Sequence, residues 1–169
     1  MTVIETGRLV LRELTEDDAP FMLELLNDPA FIRNIGDRGV RSVDAARNYL
    51  REGAIASYAR HGYGLYLVAL KPAGEPIGIC GLVKRDYLDD PDIGFAFLPG
   101  HRDRGYGHES AVAVRDHAFE VIGAARLLAI TSPDNAASIG LLGKIGFRFE
   151  RMIRPPGRDE EIRLFVLER

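Results

Sequence analysis

Residues 8–14, Arg-Leu-Val-Leu-Arg-Glu-Leu, alternate apolar and polar positions and read as a first strand. Thr15, with Asp18 three residues on, predicts a capped helix start. That helix runs to about Asn27 with Phe21, Met22 and Leu25 inward, and Asp28-Pro29 ends it. Ser42 caps a second helix reaching Arg60, closed by His61-Gly62. The period then shortens. Residues 65–70 and 77–83 are runs of branched and apolar side chains joined by Lys-Pro-Ala-Gly-Glu-Pro, a hairpin signal. Residues 92–98 form a further strand that stops at Pro99-Gly100. Residues 108–122 place Ala111, Val114, Ala118 and Val121 or Ile122 on one helical stripe. A buried strand at 127–131, a helix over 135–145 stopped by Gly146, and strands at 147–152 and 162–167 complete the chain. Hairpins mixed with helical crossovers imply a mixed sheet with helices on both faces.

A length of 169 residues suits one domain over 1–169, and no repeat or linker divides it. Apolar residues make up 46% and both charge signs are scattered, a water-soluble pattern. No apolar run approaches the ~20 residues a membrane span needs. The opening MTVIETGRLVLREL is charged where a secretion signal is apolar, so the expected compartment is cytoplasmic. The single Cys80 lies in the apolar run Ile77-Gly-Ile-Cys-Gly-Leu82 and reads as core rather than nucleophile. A formal net charge of −3 offers no basic patch for nucleic acid. The four histidines have no metal-ligand spacing, and the acidic run over 86–92 lacks the Gly and distal Glu of a calcium loop, so no metal is expected. That run could instead draw in a cationic acceptor, or be a solvated loop.

The segment carrying most chemistry is Phe95-Ala-Phe-Leu-Pro-Gly-His-Arg-Asp-Arg-Gly-Tyr-Gly-His-Glu109. A strand ends, and Gly105 and Gly107 flank Tyr106 as a helix opens. Glycines admit a ligand close to the backbone, and helix N-terminal amides attract anions. Arg102 and Arg104 add full charges. A Walker loop is excluded because His108-Glu109 follows Gly107, and a dinucleotide loop because Ser110 stands where its third glycine belongs.

The spacing Arg102-x-x-Gly105-x-Gly107 resembles the acetyl-CoA pyrophosphate loop of the GNAT acetyltransferase superfamily. Asn135-Ala-Ala-Ser138, followed by Lys144-Ile-Gly146-Phe147, resembles that family's later motif, one helix and one strand downstream. The opening strand, Glu109 and Ser138 look most like the ribosomal-protein N-terminal acetyltransferase branch. The resemblance implies a single-domain GNAT-like α/β fold with a mixed, mostly antiparallel sheet of about seven strands and about four helices. It implies acetyl-CoA as co-substrate and transfer of its acetyl group to a primary amine. Backbone groups of Phe97 and Leu98 would pair with the pantetheine arm, and the amides of Arg104, Gly105, Tyr106, Gly107 and His108 would hold the pyrophosphate. Asn135 would bond the pantetheine, cap its helix, or do both. Gly94 and Ala96, opposite Ile93, Phe95 and Phe97, leave room for a thin ligand or underlie a helix. Lys144 reads as a solvated lysine or a contact to the adenosine phosphate.

Direct transfer needs a neutral amine. Near pH 7 roughly one lysine amine in a few thousand is neutral, against about a tenth of terminal α-amines. A proton acceptor is therefore expected. Asp92 is the first candidate, on the strand face of Gly94 and Ala96, with Asp86 and Glu109 behind it. Many family members place a tyrosine where this chain has Leu142, so Ser138 is the expected donor to the departing thiolate. Asp103 is unfavourable inside an anion loop unless it turns outward or pairs with Arg102 or Arg104. The acceptor class, a protein N-terminus or a small-molecule amine, and the choice of monomer or homodimer stay open. The alternative is a CoA-binding sensor without turnover, for which Leu142 is the main support.

Overall fold

Period-2 burial along residues 9–13 fixes a strand that packs Leu9 and Leu11 on one face. In the computed structural model, which describes residues 1–169, this strand is the second. Strand β1 (Thr2–Glu5) precedes β2 (Leu9–Glu13) as its antiparallel partner. The strands that follow are β3 (Leu65–Leu70), β4 (Glu75–Val83), β5 (Asp92–Phe97), β6 (Arg126–Thr131), β7 (Arg148–Ile153) and β8 (Ile162–Glu168). The sheet therefore has eight strands rather than about seven, because Thr2–Glu5 is too short and too exposed to show a period. Its order is β1-β2-β3-β4-β5-β6-β8-β7, antiparallel except between β5 and β6.

Helices α1 (Ala19–Leu26), α2 (Pro29–Asn34) and α3 (Val43–Leu50) pack against one face, whereas α4 (Ala56–His61) stacks its Tyr58 on Tyr66 in the core of the other. A π-type turn over Arg51–Ile55 joins α3 to α4, so the predicted helix from Ser42 runs unbroken to the left-handed Gly62. Helix α2 was not expected. Asp28-Pro29 ends α1 as predicted, but Pro29 is at once the first residue of a new helix, capped by the Asp28 carboxylate on the Phe31 N–H at 3.2 Å. Helices α5 (Tyr106–His117) and α6 (Ala136–Lys144) cover the other face. Ala111, Val114 and Ala118 of the predicted stripe are fully buried, whereas Val121 is exposed and Ile122 turns inward. Phe21 is only half buried, and Met22, Leu25 and Leu26 fill the core in its place. Cys80 is buried in the main cluster, and burial pushes its thiol up to about 12, so it is inert.

The feature that positions the site is the seam between β5 and β6. These strands touch at one register point, Asp92 opposite Leu128, and part beyond it. Leu98 N–H donates to Ile77 O at 3.0 Å, so by antiparallel alternation Ala96 and Gly94 also bond towards β4. The backbone groups of Phe95 and Phe97 then point the other way, into the gap.

Candidate active site

The gap opens into two cavities. One, of about 500 Å³, lies between the end of β5, the start of α5, α2 and α6. The second, of about 360 Å³, lies on the β7–β8 side. Asn34, Ile35, Phe95, Asn135 and Ser138 line both, so they form the wall where the cavities meet.

The larger cavity is built to receive an anion. Gly105 is left-handed, with φ of 83°, and the first intrahelical bond of α5 runs from Glu109 N to Gly105 O. The amides of Tyr106, Gly107 and His108 therefore have no partner within the helix. A side chain on Gly105 would meet the Arg8 guanidinium at 3.1 Å. Arg8 itself was missed from the sequence. Its Nε donates to Glu109 at 2.7 Å, its Nη1 to Arg104 O at 3.0 Å, and its guanidinium lies 4.5 Å from the Tyr106 ring centroid. Thr6 also donates to Glu109, at 2.5 Å. This cluster ties the glycine loop to the β1–β2 edge. Although partial burial raises the Glu109 pKa, the Thr6 and Arg8 bonds outweigh it and hold the carboxyl below its ordinary value. Glu109 is thus a structural anion and not a base.

Of the residues expected at the cofactor, Phe97, Arg102, Gly105, Gly107, His108 and Asn135 line this cavity. Leu98, Arg104 and Tyr106 do not. Both backbone groups of Leu98 are occupied, its N–H by Ile77 and its carbonyl by His101 N. The Arg104 side chain is exposed, and Tyr106 turns its ring under Arg8. The charge expected from Arg102 is also spent internally. Its Nη2 donates to Asp28 at 2.6 Å and to Phe97 O at 2.8 Å, pinning the loop to the start of α2. Asp103 is exposed, with φ of 61°, and borders the same cavity. Lys144 lies exposed on the cavity wall. Asn135 accepts from Ser138 N at 3.2 Å through Oδ1, so it caps α6 and keeps Nδ2 for the cavity. Ser138 keeps its hydroxyl free at the shared wall, and the side chain of Leu142 fills the neighbouring core.

Asp92 departs most from expectation. It sits at the β5–β6 contact point, 1% exposed, and lines neither cavity. Its Oδ2 accepts from Arg85 Nε at 2.5 Å, and its Oδ1 has no partner. Burial lifts its pKa to about 6 against the pull of Arg85. The carboxylate faces a guanidinium inside the protein and not the seam where a base is needed. Of the rest of the acidic run, Asp90 pairs with Arg126 at 2.9 Å, and Asp86 and Asp89 are exposed off the walls.

With this geometry in place, the likenesses are specific. The acetyltransferase (GNAT) domain model matches residues 8–148, and the chain belongs to that family. An uncharacterized N-acetyltransferase of Bacillus subtilis, YoaA, is 27% identical over 154 residues, 90% of this chain and 86% of the relative. The crystal structure of an acetyltransferase from Agrobacterium tumefaciens is 26% identical and superposes with a TM-score of 0.84, covering 100% of this chain and 95% of that one. RimL, a ribosomal L7/L12 alpha-N-protein acetyltransferase solved with coenzyme A, shares the fold at 18% identity with a TM-score of 0.85 over 99% of this chain and 98% of its own. The chain is an acetyltransferase that uses acetyl-CoA as co-substrate and an amine as acceptor. No helix is long and apolar enough to cross a membrane.

Proposed function

We propose that acetyl-CoA occupies the glycine-loop cavity, that the amine enters through the second cavity, and that the acetyl group passes directly between them in a ternary complex. The observation that carries this reading is the shared wall of Phe95, Asn135 and Ser138, where two separate approaches meet. The residues present fit the co-substrate. Unpartnered amides at the start of α5 suit a pyrophosphate, and Gly107 leaves only Leu141 and Phe97 near the place a Cβ would take, at 3.6 and 3.7 Å. Bound there, acetyl-CoA supplies a thioester whose carbonyl needs a donor and whose sulfur needs a proton.

The chain supplies both. The Phe95 and Phe97 N–H groups face the gap as fixed donors, Asn135 Nδ2 orients the arm, and the Ser138 hydroxyl serves the departing sulfur. No carboxylate lines the second cavity, so the amine gives its proton to water. An α-amine, about a tenth neutral near pH 7, suits this arrangement better than a lysine amine. A protein N-terminus or a small molecule with an α-amine is the acceptor, and the buried lone thiol supports a cytoplasmic setting. Thiol release from acetyl-CoA across a panel of α-amines, side-chain amines and polyamines tests the reading. Saturable release that depends on added amine supports it, and release independent of amine overturns it.

A further inference from the structure

The walls of the acceptor cavity hold Arg38, Arg85 and Arg158 and not one aspartate or glutamate. An adjoining space of about 300 Å³ shares Arg38 and Arg85 with it and adds Arg60, Lys84 and a single carboxylate, Glu52. A chain with formal net charge −3 has thus gathered cations where the amine must enter. Arg85 is the best fixed of them. Its Nε is held by the buried Asp92, and its side chain lines both cavities with Tyr87 beside it. Arg38 and Arg158 are in no ion pair, and they stand on opposite rims, in the α2–α3 loop and the β7–β8 hairpin. Nearby acids do not neutralise them. Asp37 pairs with Arg41 at 2.6 Å, while Asp159 and Glu160 are exposed and lie off the walls.

We propose that the acceptor is an amine that also carries a carboxylate, which Arg85 binds with Arg38 and Arg158 while the amine reaches the wall at Ser138. This rests on the transfer reading above. A planar guanidinium fork matches a carboxylate with two parallel hydrogen bonds, which fixes the orientation of the amine as well as its affinity. A polyamine brings only positive charge to three arginines and is rejected on the same ground. Asp92 then acts through Arg85. It is a positioning residue, and its burial at the β5–β6 contact point holds Arg85 in register with the seam.

The carboxylate can belong to a free amino acid or to an acidic side chain near a protein N-terminus. Steady-state kinetics separate the sources by comparing amino acids, the same amino acids as amides, peptides with Asp or Ala at the second position, and spermidine. The expected result is a kcat/KM at least tenfold higher for one carboxylate-bearing class than for its neutral counterpart, with spermidine the poorest. Arg85→Gln should raise KM for that acceptor tenfold or more while kcat falls less, and Arg85→Lys should recover only part. Arg158→Gln, on an exposed rim where misfolding is not a concern, should raise the same KM severalfold. Calorimetric titration of the preferred acceptor onto the wild-type and variant proteins saturated with CoA should show the same loss of affinity. Asp92→Asn should raise KM at pH 7 and above, and the difference should narrow as pH falls through about 6, where the wild-type carboxyl takes up a proton. A kcat/KM deficit that shrinks as pH rises would make Asp92 a base and sink its positioning role. If neutral amines or spermidine are acetylated as well as carboxylate-bearing ones, this inference is wrong and the transferase reading stands. If acetyl-CoA binds and no amine is acetylated, both fall.

Discussion

Gly107 isolates the role of a single residue. It occupies the second position of α5 without a positive φ, so an aspartate there suits the helix, whose N-terminus favours negative charge. Gly107→Asp should keep or slightly raise the melting temperature while lowering acetyl-CoA affinity at least tenfold, because the carboxylate meets the pyrophosphate. Unchanged affinity by calorimetry would move the cofactor elsewhere. Ser138→Ala should lower kcat about tenfold or more with acetyl-CoA binding intact. An unchanged kcat where chemistry limits the rate would leave the proton to solvent. Both residues were legible in the sequence because glycine spacing and the Asn135–Ser138 pair mark local backbone geometry. Arg8, Arg85 and the inward turn of Arg102 were not. Arg8 reaches Glu109 across 101 positions, and Arg102 reaches Asp28 across 74. No local pattern encodes such pairs. The setting of Asp92 was hidden for a related reason: alternation assigns a residue to a face, but it does not say which neighbour closes over that face.

Elements with a strong period appeared where expected, and those fixed by contacts did not. Strands β3 to β6 and helices α5 and α6 each bury a stripe that their own residues define. Strand β1 exists because β2 offers it an edge, and α2 because Arg102 and the Asp28 cap hold its first turn. The junction of β2 with α1 shows how such a tie is made. Arg12 donates to both oxygens of Asp18, at 2.8 and 3.0 Å, and Asp18 accepts from Thr15 N at 2.8 Å. Burial pushes the Asp18 pKa up, but the Arg12 and Thr15 bonds outweigh it and leave the carboxyl below its ordinary value. A lowered acid pKa stabilises the fold above the unfolded value, and that gain is lost as pH falls through the folded one. Asp18→Asn should therefore cost about 1.5 kcal/mol at pH 7, lowering the melting temperature by roughly 3–6 °C. The gap between variant and wild type should close below about pH 4. A gap that persists at low pH would assign the loss to packing and not to the ion pair.

For the molecule as a whole, the parted strands decide the order of events. A sheet paired along its full width would seal the space between β5 and β6, but one register point leaves it open from both sides. Cavities that meet at a wall permit both substrates to be bound at once, and then no enzyme-bound acetyl group is required. The protein also lacks an obvious carrier for one. Its only cysteine is fully buried with its thiol pushed up to about 12, and no carboxylate lines the acceptor side. Ser138 has no histidine among the residues of the shared wall to activate it as a nucleophile. Initial velocities measured against both substrates should accordingly give intersecting double-reciprocal lines. Protein incubated with acetyl-CoA alone should show no acetylated species by intact mass. Parallel lines together with an acetylated protein would mean that the acetyl group rests on the chain between two half-reactions, and the cavities would then be used in turn by substrates that never meet.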